Sequence, residues 1–139
     1  MSPRKFVYRP QQRGAKPAGE LPKAKGRKRS AEERMNKGEA RYAQILTTRQ
    51  AAGLVSAWWY EGMSWRLADE THYRPDFVVL LPDGTMELHE VKAASREDGG
   101  DDFGATPEAW LKLKIVAEHA PFPLVVVWQK GGTWQERRV

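Results

Sequence analysis

The spacing of apolar and polar positions changes along this chain, and each change marks an element. Ser30 followed by Glu33 is a capping box, with Glu32 and Glu33 in the first turn where the helix dipole favours them. It predicts a helix from 31 to about 52, ended at Gly53. Tyr42, Ile45 and Leu46 form its inward stripe, Met35 precedes that stripe, and Glu39 lies one turn before Tyr42 at its edge. Two short strands follow, 54–60 and 63–67, around Glu61-Gly62 and rich in Trp58, Trp59 and Trp65. An apolar run, 77–81, then meets the turn Pro82-Asp83-Gly84, and 86–91 returns as a second strand. Side chains alternate across a strand, so Glu90 and Lys92 share a face with Leu88 while His89 and Val91 take the other. Residues 93–105 have no hydrophobic period and read as a mobile loop. Thr106 caps a helix with Pro107 in its first position, running to about His119 before Pro121. The apolar run 124–128 predicts a strand buried on both faces, and Gly131-Gly132 turns it into an edge strand, 133–137. The expected fold class is α/β, one domain with a mixed sheet flanked by helices and no internal repeats.

Composition bounds this picture. A chain of 139 residues with 40% hydrophobic content holds one domain with a modest core. No stretch approaches the ~20 apolar residues of a membrane span, and MSPRKFVYRP has no signal-peptide core, so a soluble cytoplasmic protein with no membrane partner is expected. The absence of cysteine excludes disulfides, thiolate zinc sites and a thiol nucleophile. Residues 1–34 carry 11 Lys and Arg against 3 acids, a balance of +8, whereas residues 35–139 hold 12 bases and 15 acids. Residues 1–29 are therefore expected to form a basic flexible arm ahead of a domain over 30–139, with Arg27, Lys28 and Arg29 among its contacts to nucleic-acid phosphates. A solubilising leader without a specific partner is the plainer reading of the same charge.

The candidate chemistry lies in the hairpin. Asp76 opens its first strand, and Glu90 and Lys92 end its second, so the three side chains can converge. Two carboxylates in one site repel unless a cation sits between them, and hard oxygen donors suit Mg²⁺, with Mn²⁺ as a substitute. A lysine beside such an ion can position an attacking water and offset charge on a phosphoryl transition state. On spacing alone, an ordinary surface hairpin with Glu87, Glu90 and Lys92 on its solvated face fits as well.

Pro75-Asp76 followed by Glu90-Val91-Lys92 resembles the catalytic core of the PD-(D/E)xK nuclease superfamily, and the order of strands and helices resembles it from about residue 36 to the C-terminus. The resemblance implies a Mg²⁺-dependent endodeoxyribonuclease, with Asp76, Glu90 and the Val91 carbonyl as metal ligands and Lys92 orienting the water. Asn36-Lys37-Gly38-Glu39-Ala40-Arg41-Tyr42 is similar to the helix from which many members lean a glutamate over the hairpin, so Glu39 is the candidate third acid. Lys112 and Lys114 lie where resolvase-type members carry phosphate contacts. The small size and basic arm look most like a phage- or archaeal-type Holliday-junction resolvase, implying branched DNA, a four-way junction, as substrate, a homodimer, and host cytoplasm for a phage protein. Transposon-end and repair or replication endonucleases share the chemistry, and a non-catalytic nucleic-acid-binding protein is the alternative from another class. His72, a few residues before the hairpin, ranks below the acids.

The charge distribution predicts that deleting residues 1–29, which removes ten of those eleven cations, weakens binding to every DNA shape and flattens its salt dependence. Saturating protein at low salt should still cut. An unchanged salt slope in an anisotropy titration would mean that the arm never touches DNA.

Overall fold

The computed structural model describes Gly26, residues 28–93 and residues 104–139. Helices Ala31–Arg34 (α1) and Lys37–Ala51 (α2) lead into strands Ala57–Tyr60 (β1), Trp65–Ala68 (β2), Thr71–Tyr73 (β3), Phe77–Leu80 (β4) and Met86–Lys92 (β5). Helix Pro107–His119 (α3) and strands Leu124–Lys130 (β6) and Thr133–Arg138 (β7) follow. The main sheet has five strands in the order β1-β4-β5-β6-β7, antiparallel except for the parallel pair β5·β6, and β2·β3 form a separate two-stranded ribbon. The fold is thus α/β with a mixed sheet. The expected flexible arm and mobile loop fall almost wholly outside the described residues.

Pairing register assigns each side chain to a face. Val78 pairs with Leu88, and both pack with Val126, Leu113 and Val116 on the α3 side. Phe77 and Val79 point the other way and pack with Val125, Val127, Tyr42 and Leu46 under α2. β6 is buried over Leu124–Trp128 on both faces, as its unbroken apolar run predicts, because helices cover both sides of the sheet. Thr106 caps α3 and Pro107 opens it, as read from the sequence.

Two expectations need correction. The helix expected from 31 to about 52 is two helices, because Asn36 supplies a second N-cap: its side chain accepts from Glu39 N at 2.8 Å while the Glu39 carboxylate accepts from Asn36 N at 2.9 Å. The strands expected at 54–60 and 63–67 form with narrower bounds, as Ala57–Tyr60 and Trp65–Ala68, and belong to different sheets. β1 pairs with β4, and β2 folds back on β3, a strand with no apolar run to announce it. Gly62 makes the separation possible, since a Cβ there would stand 2.8 Å from Trp59 Cβ. Of the tryptophans, Trp128 is buried, Trp58, Trp65, Trp110 and Trp134 are half-buried, and Trp59 is exposed on the edge strand β1.

β5 also places two polar side chains, Glu87 and His89, in the α2-side core. The Tyr42 hydroxyl meets His89 Nδ1 at 2.6 Å, His89 Nε2 meets Glu87 Oε2 at 2.9 Å, and Arg138 Nη2 donates to Glu87 Oε1 at 2.6 Å. A proton on Nε2, with the hydroxyl donating to Nδ1, satisfies every member of this chain. The His89 hydrogen bond, with the Arg138 charge behind it, holds the Glu87 carboxyl below the usual range despite its burial.

Glu87→Ala should therefore cost ~1–3 kcal/mol in urea unfolding at pH 7, because His89 is left buried without its acceptor. The depressed carboxyl contributes stability above the ordinary glutamate value of 4.5 and loses it as pH falls further. The gap between wild type and variant should accordingly narrow below about pH 4.5, and a gap independent of pH would refute this account.

Candidate active site

β4 begins and β5 ends at the same end of the sheet, so the antiparallel register alone brings Asp76 beside Glu90 and Lys92. The Asp76 backbone and side chain are both tied down. Its carbonyl accepts from Glu61 N at 2.8 Å, continuing the β1·β4 ladder, and its Oδ2 accepts from Val91 N at 2.8 Å. Across the hairpin the Tyr73 hydroxyl donates to Glu90 Oε2 at 2.7 Å and Lys92 Nζ donates to Glu90 Oε1 at 3.1 Å. Both Glu90 oxygens are therefore engaged.

Glu90 and Lys92 open onto a pocket of about 210 Å³ lined also by Tyr73, Arg74, Ala109, Lys112 and Leu113. Lys112 Nζ stands 6.0 Å from the centre of the Tyr73 ring. The pocket thus combines carboxylate and aromatic hydroxyl at its floor with cations at its mouth.

Electrostatics single out Asp76. Burial first, then the Glu90 charge and more weakly that of Glu39, push its carboxyl up to about 7, against the Val91 N–H and the Lys92 ammonium. Burial and the neighbouring Glu90 also raise the Tyr73 phenol, keeping it a hydrogen-bond donor at neutral pH. On the α2 side, burial and the hydrogen bond to Glu39 raise Tyr60 likewise. A carboxyl poised near neutrality beside a second carboxyl is what a functional acidic site requires.

The expected residues divide as follows. Asp76, Glu90, Lys92 and the Val91 backbone come together, and Lys112 joins them from α3. Glu39 comes near without joining: its Oε2 is taken by Asn36 N at 2.9 Å and the Tyr60 hydroxyl at 3.0 Å, so only its charge reaches Asp76. Lys114 leaves the site, its Nζ lying 5.9 Å from the Trp110 ring centre. Lys28 and Arg29 are exposed ahead of α1, Arg27 lies outside the described residues, and His72 is exposed on β3 opposite Arg66. Sequence reasoning missed Tyr73, Tyr60 and Arg74. Tyr73 and Arg74 stand directly before Pro75-Asp76, which is their one signal, but the strand that aims Tyr73 at Glu90 has no periodicity of its own.

Among the described residues no three His, Asp or Glu side chains gather closely enough to hold a metal ion. The donor chemistry nevertheless fits a hard divalent cation, since the Asp76 and Glu90 carboxylates, both hard oxygen donors, repel each other and a cation between them would relieve that repulsion. No family model, no curated protein and no solved structure matches this chain.

A buried carboxyl raised from 3.8 to about 7 is disfavoured when charged, so folding loses stability as pH rises across that interval. Asp76→Asn should match wild type near pH 4 and melt several degrees higher at pH 8 in EDTA. A lower melting temperature for the variant at pH 8 would mean that Val91 and Lys92 already compensate the charge.

Proposed function

We propose that this protein is a metal-dependent endonuclease of the PD-(D/E)xK type that hydrolyses DNA phosphodiesters, with branched DNA such as a four-way junction as its substrate. The observation that carries the reading is the convergence of Asp76, Glu90 and Lys92 at one end of the sheet, with Asp76 raised to about 7. Asp76 and Glu90, with the Val91 carbonyl, would hold Mg²⁺ or Mn²⁺, which when bound supplies Lewis acidity and neutralises phosphoryl charge. Tyr73 fixes the rotamer of Glu90, and Glu90 in turn holds the Lys92 ammonium. Lys92 orients the attacking water, whose oxygen bonds to phosphorus as the 3′ oxygen departs, leaving a 5′-phosphate. Arg74 and Lys112 at the pocket mouth receive the phosphates flanking the scissile bond. Glu39 acts through its charge on Asp76 and through Tyr60, as a positioning residue.

Resolution of a four-way junction needs two symmetric cuts, and a twofold homodimer supplies them. The same chemistry would serve a transposon-end or repair nuclease. A protein that only binds nucleic acid gains nothing from two carboxylates facing phosphates, which repel them.

Labelled four-way, flap and linear duplexes with Mg²⁺ provide the test. Asp76→Asn and Glu90→Gln should abolish cleavage while keeping or tightening junction binding, because each removes negative charge facing phosphate. Lys92→Ala should lose several orders of magnitude in rate with little loss of affinity, and Glu39→Gln should lose ~10-fold. Near-normal turnover by either of the first two variants would end the metal-site assignment. Equal loss of binding and rate in Lys92→Ala would make that lysine a phosphate anchor.

A further inference from the structure

A second feature lies on the other side of α3 from the candidate active site. Ala109, Lys112 and Leu113 line the pocket over Glu90, whereas Pro107, Trp110, Leu111 and Lys114 line an open groove of about 580 Å³ completed by Ala105 and Arg137. Helical spacing of three and four residues places those four α3 positions on one face. Register supplies the last wall. Arg137 pairs with Val126, whose side chain lies on the α3 side of the sheet, while its neighbour Arg138 pairs with Val125 and turns to Glu87 on the other side.

The groove has a defined chemistry. The Trp110 ring centre lies 5.9 Å from Lys114 Nζ and 5.2 Å from Arg137 Cζ, and among the described residues none of the six that line the groove is acidic. Leu111, 61% exposed, gives it an apolar floor beside Pro107. Two cations suit phosphates, and an aromatic and aliphatic wall suits the face of a base whatever its identity. The exposed hydrophobic wall of the groove suits an unstacked strand, because in a duplex the base faces are hidden.

We infer that the groove between α3 and β7 is a single-strand subsite, in which Lys114 and Arg137 hold phosphates and Trp110 with Leu111 receives an unpaired base. This deepens the nuclease reading and rests on it for its purpose: a substrate engaging both pockets reaches across α3 and carries unpaired nucleotides beside the bond to be cut, as a branch point does.

The test uses full-length protein in EDTA, with a fluorescent 15-residue oligothymidylate and a 15-base-pair duplex as anisotropy probes. Lys114→Glu and Arg137→Glu alter exposed side chains and should each weaken oligothymidylate binding ~10-fold while changing duplex binding by less than ~2-fold. Trp110→Leu, which keeps an apolar side chain against the core, should weaken oligothymidylate binding ~10-fold. Unchanged single-strand affinity in all three folded variants would overturn the subsite. Equal losses on the duplex would also overturn it, making the groove a general phosphate face, and so would polyglutamate displacing oligothymidylate at equal or lower concentration, which would make it a dock for acidic protein. Because EDTA removes catalysis, the two readings fail separately: groove binding without any cleavage by the wild type sinks the nuclease alone, and cleavage by a protein whose groove variants bind normally sinks the subsite alone.

Discussion

Strand β5 has a hydrogen-bonded neighbour on each edge and a helix over each face, so its buried side chains, Glu87 to His89, must find their partners inside the protein. That constraint organises the rest. Leu88 meets it by packing with Val78 and Leu124, and Glu87 and His89 meet it through Tyr42 and Arg138. Each buried polar group depends on an element distant in sequence, α2 on one side and the last strand on the other. Among the described residues no buried side-chain polar atom is left without a partner. The network therefore fixes the register of β5 as well as stabilising it, since a one-residue slip would put Glu87 and His89 against Leu113 and Val116.

Toward its C-terminal end β5 leaves this enclosed environment, and the same alternation that buries Leu88 turns Glu90 and Lys92 toward the rim of α3. Here the polar groups are satisfied but not electrostatically neutral. Asp76 accepts one backbone hydrogen bond and still sits near neutrality, because burial and the Glu90 charge outweigh it. Consistency of local and global demands holds elsewhere in the fold and fails at this end, which is where a functional site is expected to appear. The hairpin core supplies the rigidity that keeps two repelling carboxylates from drifting apart.

Legibility in the sequence followed locality. The Pro82-Asp83-Gly84 turn, the alternation that sets Glu90 and Lys92 with Leu88, the caps at Ser30 and Thr106, and the apolar β6 all depend on residues within a few positions of each other, and all match the structure. The break at Asn36 was equally local, but Ser30 and Glu33 offered an earlier helix start. The β2·β3 ribbon turns at Asp69 and Glu70, with Glu70 at φ 52° and no glycine, so it lacks the usual turn signal. Partners such as Tyr42 for His89, Tyr73 for Glu90 and Tyr60 for Glu39 are fixed only by the sheet order, and no spacing along the chain encodes them.

The charge balance gains a physical reason from this arrangement. On the nuclease reading proposed above, a site that presents Asp76 and Glu90 toward a polyanion would repel what it binds, and residues 35–139 as a whole are acidic by three charges. Local cations would answer part of that repulsion: Arg74, Lys92 and Lys112 line the pocket with Glu90, while Lys114 and Arg137 stand on the other side of α3. On that reading the excess of +8 within residues 1–34 would supply the rest of the attraction. Attraction supplied from outside the cluster would let the carboxylates keep the mutual repulsion that a divalent cation would relieve, because more fixed positive charge placed among them would satisfy that demand itself.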